Sequence, residues 1–216
     1  MRPASEKSAA KRIVDVTGAL ALLLLTLPLG LLAAVGTRLS SPGPVFFAQE
    51  RFGKDGHIFR MYKFRTMVVE ADPVNGWTRT GDPRRTMFGA VLRRFSIDEL
   101  PQLINILRGE MSLVGPRPEM PCHAERFRRS IPGYMLRLRV RPGLTGWAQI
   151  HGLRGDTSIP RRVNYDLWYI DHWSLWLDAK ILLLTPFRCL VNRQEPLKRP
   201  IRTVAKRSDS AERREN

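Results

Sequence analysis

A 22-residue run without a charged side chain, VTGALALLLLTLPLGLLAAVGT from Val16 to Thr37, limits what this chain can fold into more than any other feature. A helix needs about 20 apolar residues to cross the hydrocarbon of a bilayer. Length alone therefore admits an ordinary spanning helix. It also admits a cleaved signal peptide, because Lys7, Lys11 and Arg12 precede the run and Ala34-Val35-Gly36 offers small residues for cleavage. A third option is a helix that enters the membrane, breaks and returns to the same side. Pro28, near the middle of the run, favours this re-entrant option. It lacks the N–H that would bond the Leu24 carbonyl, and its ring crowds that carbonyl. Thr26 brings a hydroxyl close to a carbonyl freed inside hydrocarbon. Thr26 and Pro28 are thus the expected break in the membrane helix. Charge agrees, since Lys11 and Arg12 flank one end and Arg38 the other, which gives no reason to export either end.

The rest of the chain is basic. Of 216 residues, 36 are Lys or Arg and 20 are Asp or Glu, a formal net charge of +16. Such an excess points to anionic partners: phosphates, acidic headgroups or nucleic acid. A hydrophobic content of 43% excludes a disordered chain. Cys122 and Cys189 lie far apart, which suits a reducing compartment. His57, His123, His151 and His172 show no paired ligand spacing, which argues against a zinc site.

Ser40-Ser41-Pro42-Gly43-Pro44 is a rigid linker. Around Gly53-Lys54-Asp55-Gly56, apolar and aromatic residues alternate as in a β-hairpin. Residues 71–86 lack a period and are rich in Gly, Pro and Asp, so a loop is expected. Helices are expected over Phe88–Arg94, over Glu99–Leu107 and over 121–139 with an interruption at Pro132-Gly133. Trp173–Val191 is apolar with two Trp; it suits either the membrane interface or a core. The expected fold is α+β, mostly helical, with a re-entrant N-terminal membrane helix, a small β-hairpin and amphipathic interfacial helices. Three units follow: residues 1–40 as basic N-terminus and membrane helix, 41–192 as catalytic domain, and 193–216 as a basic, disordered tail.

Within this basic chain two acids stand side by side, in FSIDELPQL from Phe95 to Leu103. Pro101 tolerates only the first turn of a helix, which makes Asp98 the expected N-cap with Glu99 in the first turn. Ser96 and Glu99 also match a capping box. A chemical reading competes with this structural one. Beside an arginine cluster a carboxylate stays ionised, and an ionised Asp can attack phosphorus. A second carboxylate can help hold Mg²⁺ together with substrate phosphates. Asp98 and Glu99 are thus candidates for nucleophile and metal partner.

At this point the chain resembles the bacterial sugar transferases, the small monotopic phosphoglycosyl transferases. The likeness rests on Lys11-Arg12-Ile13-Val14-Asp15, Tyr62-Lys63-Phe64-Arg65-Thr66-Met67, Asp82-Pro83-Arg84 and Leu92-Arg93-Arg94. It continues through Ser96–Leu103, Gly109–Glu119, Arg141–Gln149, Tyr165-Asp166 and the Trp173–Asp178 stretch. Several long motifs in one order are far more specific than any one of them. The resemblance implies transfer of a sugar 1-phosphate, glucose or galactose, from a UDP-sugar to undecaprenyl phosphate with release of UMP. It implies a covalent phosphosugar on Asp98, a requirement for Mg²⁺ at Asp98 and Glu99, and a place on the cytoplasmic face of the bacterial inner membrane. Membrane lipids and downstream glycosyltransferases are the implied partners, in exopolysaccharide, capsule, O-antigen or glycan synthesis. Family members break the membrane helix at a proline usually preceded by serine; here Leu27 precedes Pro28.

Residue chemistry adds substrate-binding candidates. Pro116 and Pro118 stiffen the chain around Arg117, and a rigid arginine grips phosphate bidentately. Lys63, Arg65, Arg93 and Arg154 are further phosphate candidates, each with a solvated or lipid-facing alternative. Trp147 suits either the core or stacking on uracil. A membrane-anchored scaffold, or a protein that binds nucleic acid or anionic lipid, would explain the charge. Neither explains Asp98-Glu99-Leu100-Pro101, and no nucleic-acid motif or partner is expected.

Overall fold

The apolar run belongs to α1, a single helix from Ala9 to Ser40, in the computed structural model, which describes Pro3, Ser5 and residues 8–68, 84–155 and 157–191. Ser8 caps it, its hydroxyl accepting from the Lys11 N–H at 3.2 Å. The expected break at Thr26 and Pro28 does not divide the run into two helices, since Pro28 lies inside α1. Nor does Thr26 serve the carbonyl that proline frees. Its hydroxyl donates to Leu22 O at 2.7 Å, not to the Leu24 carbonyl. Full burial along α1 is confined to its two ends, with Leu23 between them partly buried against the main core. Lys11, Asp15 and Ala19 are buried at one end, Ala33 and Thr37 at the other, while Leu24, Leu25, Leu31 and Leu32 between them are exposed.

Both ends rest on the same folded unit. At the first, Asp15 accepts from the Ser112 hydroxyl and the Leu113 N–H, each at 2.9 Å, and Arg12 donates to the carbonyls of Ile106 and Leu107. At the second, Gly36 lies so close to the Phe88 ring that any side chain would collide with it. Ala33 and Ala34 there pack with Phe64, Leu92 and Phe88.

The hairpin forms as expected. β1 (Phe46–Phe52) and β2 (Ile58–Phe64) pair antiparallel from Phe46↔Phe64 to Phe52↔Ile58. Asp55 and Gly56 turn the chain with positive φ. α2 (Met87–Arg94) is capped by Thr86, which accepts from the Gly89 N–H at 2.9 Å. Of the expected loop 71–86, only Arg84, Arg85 and Thr86 fall within the described residues; the tail 193–216 lies wholly outside them.

A second, two-stranded sheet was not anticipated. β3 (Ser112–Val114) and β4 (Gly143–Thr145) pair in parallel, Ser112 opposite Gly143 and Val114 opposite Thr145. Three-residue strands carry too little alternation to be read from sequence. Backbone approach is tight: the Gly143 N–H donates to Pro116 O at 2.9 Å, and a Cβ on Gly143 would strike the Gly115 backbone. Five more α-helices follow among the described residues: α3 (Gln102–Arg108), α4 (Pro121–Ser130), α5 (Trp147–Ile150), α6 (Ile159–Asp171) and α7 (Leu175–Val191). The segment 121–139 does divide near Pro132-Gly133, α4 giving way to a 3-10 turn over Tyr134–Arg139. α7 contributes to the core, as one reading of its sequence expected, and leaves apolar side chains exposed on another face. Leu177 and Ile181 enter the main core, while Trp176, Leu183 and Phe187 are exposed.

Candidate active site

The two acids do not cap a helix in the expected way. α2 ends at Phe95, and Ser96 turns left-handed at φ 56°. A non-glycine residue there is under strain, and such residues gather at functional sites. Ile97–Glu99 follows as a 3-10 turn, and α3 begins only after Pro101. The Ser96 side chain makes no capping bond, so neither the Asp98 cap nor the Ser96–Glu99 box forms. Proline placement explains this. The clash of Pro101 with a regular preceding turn is avoided by tightening that turn to 3-10 geometry. Both carboxylates are thereby freed from the backbone and enter a cavity of about 540 Å³, within the range of small-molecule sites.

Glu99 is locked in place. Its Oε1 accepts from Arg117 at 2.6 Å and from Lys63 at 3.1 Å, and its Oε2 lies 3.6 Å from Arg154. Burial opposes its charge, yet Arg117, Lys63 and Arg154 together hold Glu99 well below its ordinary pKa. Asp98 differs. Its carboxylate lines the cavity without a hydrogen bond or ion pair among the described residues, though the residue is only 6% exposed. Burial raises the Asp98 pKa above its ordinary value, and Glu99 adds to the rise; Lys63, Arg93 and Arg117 pull the other way without cancelling it. A proton entering this pair therefore goes to Asp98 first. Burial likewise lowers Lys63, with Glu99 opposing.

The cations are carried on separate elements. Lys63 comes from β2, Arg93 from α2, and Arg117 from the chain following β3. Arg93 donates to the Thr66 hydroxyl at 2.8 Å. Gln149 of α5 links Arg117 to a fourth cation, Arg154: its Oε1 accepts from Arg117 at 3.2 Å and from Arg154 at 2.9 Å. Behind Arg117, the buried Arg137 donates to its carbonyl at 2.9 Å and pairs with buried Asp166. Farther along the wall Arg162 pairs with Glu119 at 2.7 Å.

Lys63, Arg93, Asp98, Glu99, Arg117 and Arg154 thus meet in one cavity. Two candidates act otherwise. Arg65 borders the cavity, but its guanidinium donates to the linker carbonyls of Ser41 and Pro42, tying the linker to β2. Pro116 is not among the lining residues; its carbonyl joins the β3–β4 crossing, and Pro118 faces the cavity instead. Trp147 does not reach the cavity either. It stacks on Trp168 at 4.9 Å, with Lys180 over its ring. Gln149, Arg51, Glu119 and Arg162 were missed. Gln149 closes the Arg141–Gln149 motif and Glu119 the Gly109–Glu119 motif, and both were usable signals; Arg51 and Arg162 stand in no such motif.

Mg²⁺ was expected at Asp98 and Glu99. No cluster of three His, Cys, Asp or Glu exists among the described residues. Glu99 already faces three cations, which leaves Asp98, among the described residues, as the carboxylate of the pair without a bonded partner. Mg²⁺ held together with phosphates uses one or two carboxylates, and Asp98 offers one.

The chain matches the family model of the bacterial sugar transferases over residues 6–192, and it belongs to that family. It is 50% identical to the UDP-glucose:undecaprenyl-phosphate glucose-1-phosphate transferase of Escherichia coli, over 85% of this chain and 40% of that protein. The Caulobacter vibrioides protein of the same name is 49% identical, over 81% of this chain and 67% of its own. A UDP-N-acetylgalactosamine-undecaprenyl-phosphate N-acetylgalactosaminephosphotransferase of Aeromonas hydrophila is 46% identical, over 81% and 42%. The chain spans about two fifths of the length of the curated relatives it matches first.

Proposed function

We propose that the chain transfers a hexose 1-phosphate from a UDP-hexose to undecaprenyl phosphate by double displacement at Asp98. The open Asp98 carboxylate, beside a Glu99 held by three cations, carries this reading. An oxygen of Asp98 attacks the phosphorus that bears the sugar. The bond from that phosphorus to the bridging oxygen breaks, and UMP leaves with the bridging oxygen and its electron pair. An acyl phosphate now joins Asp98 to the sugar. An oxygen of the lipid phosphate then attacks the same phosphorus, the Asp98 bond breaks, and the carboxylate is restored with the lipid diphosphate sugar as product. Lys63, Arg93, Arg117 and Arg154 bind the phosphate charge and orient the phosphorus. Glu99 fixes three of these cations and leaves Asp98 to react. Mg²⁺ carried by the donor's phosphates would neutralise their charge.

Relatives named for glucose and for N-acetylgalactosamine bracket the sugar; glucose is the donor proposed first, with galactose second. The setting is the cytoplasmic face of the inner membrane, at the first lipid-linked step of exopolysaccharide, capsule, O-antigen or glycan synthesis, with product passed to downstream glycosyltransferases. α1 is read as re-entrant, because both its ends rest on one folded unit.

The test is UMP release in nanodiscs. With UDP-glucose, undecaprenyl phosphate and Mg²⁺, the wild type turns over; Asp98→Asn folds and loses at least a thousandfold in rate. Equal turnover by Asp98→Asn would exclude Asp98 as nucleophile.

A further inference from the structure

One face of β1 is graded from apolar to cationic. Register places Phe47 opposite Lys63, Gln49 opposite Met61 and Arg51 opposite Phe59. Directly opposed residues share a face of the sheet, and Lys63 reaches Glu99, so this face looks into the cavity. Arg51, at its far end, donates to Gln49 at 2.6 Å, toward the wall holding Glu119 and Arg162. Phe47, at its near end, is 42% exposed and lines the cavity beside Pro44, Met67 and Val68. Pro44 belongs to the linker that leaves α1, and Val45 next to it packs with Ala33 of α1. The end of the cavity where Phe47 offers an apolar ring beside Lys63 is thus the end from which the membrane helix departs, and Arg51 lies at the other end of the strand, toward Glu119 and Arg162.

Resting on the transferase reading, we propose that Phe47 is a specificity residue for the lipid acceptor, packing the first isoprenyl units of the polyprenyl phosphate whose phosphate meets Lys63 and Asp98. A UDP-sugar offers no aliphatic chain to such a wall, and its diphosphate suits the cations of the cavity. A lipid phosphate entering from the bilayer meets the wall in the opposite order, phosphate toward Asp98 and chain toward α1. Phe47 acts in the second displacement only.

Double displacement makes this separable, because kcat/KM for each substrate reports its own half-reaction. Rates are expressed per active enzyme, counted from the stoichiometric UMP burst with UDP-glucose and no acceptor. Phe47→Ser is expected to lower kcat/KM for undecaprenyl phosphate on the order of tenfold, the value of one buried apolar ring. It leaves kcat/KM for UDP-glucose within about twofold of wild type. Phe47→Leu recovers most of the acceptor term. An unchanged acceptor term overturns the proposal, as does an equal or larger fall in the donor term, which would put a uracil or hexose ring on Phe47. A wild type without a burst sinks the covalent mechanism instead. The Phe47 comparison is then read per folded protein, from the acceptor dependence of steady-state UMP release.

Discussion

Asp98 and Glu99 are chemically similar neighbours with opposite behaviour, and cation placement is the cause. Three cations converge on Glu99 and hold its charge; Asp98 is buried with no hydrogen bond or ion pair among the described residues. In the proposed reaction attack requires ionised Asp98, so the acid limb of kcat/KM for the donor is expected to follow the raised Asp98 pKa. Lys63 draws that pKa down. Lys63→Met therefore moves the acid limb to higher pH, besides lowering the rate, and a pH profile checks it. A limb that stays in place or moves down would show that Lys63 does not set the charge on Asp98. The adjacent acids themselves were plain in the sequence, as was the arginine between two prolines. Their division of labour was not, because it depends on Gln149, Lys63 and Arg154, which lie far apart in the chain and meet only through the fold.

α1 is joined to the unit beneath it by a buried polar network. Lys11 donates to Asp178 at 2.7 Å and to Val114 O at 3.1 Å; Tyr169 and Trp173 also donate to Asp178, at 2.6 and 3.0 Å. Val114 ends β3, three residues before Arg117, so the seat of the helix and the position of the arginine share one anchor. Removing one partner leaves a buried charge uncompensated, a loss of about 3 kcal/mol or more. Lys11→Met and Asp178→Asn are each expected to lower Tm by roughly 10 °C. Their effects should be less than additive in a double-mutant cycle; strict additivity would mean that the pair is not coupled. Of these elements, the long helix, the hairpin and α2 were legible, because each has a period, a cap or a turn signal. β3 and β4 were hidden by their length, and the register of Glu99–Leu107 was misjudged because Pro101 tightened the turn ahead of it instead of entering the helix.

At the scale of the molecule, the described residues hold one long apolar helix, and its polar ends both belong to the folded unit. Cysteines placed singly at Ser8 and Ser40, in a background lacking Cys122 and Cys189, are expected to react with a membrane-impermeant maleimide from the same side of sealed vesicles. Labelling from opposite sides would make α1 a spanning helix and would require the unit to release one of its ends. Family membership was within reach of the sequence, since its motifs run through most of the chain in one order. The sugar was not, because the cavity wall that would choose it is assembled from β1, α4 and α6 rather than from one stretch.

The exposed middle of α1 lies between two ends anchored to the unit that carries Asp98. On the re-entrant reading that middle sits in lipid and sets the height of Asp98 above the bilayer, so that a lipid acceptor reaches the cavity by lateral diffusion. On the proposed double displacement its effective concentration is then a surface density, and spreading the same quantity over more bilayer slows the second displacement while leaving the first untouched.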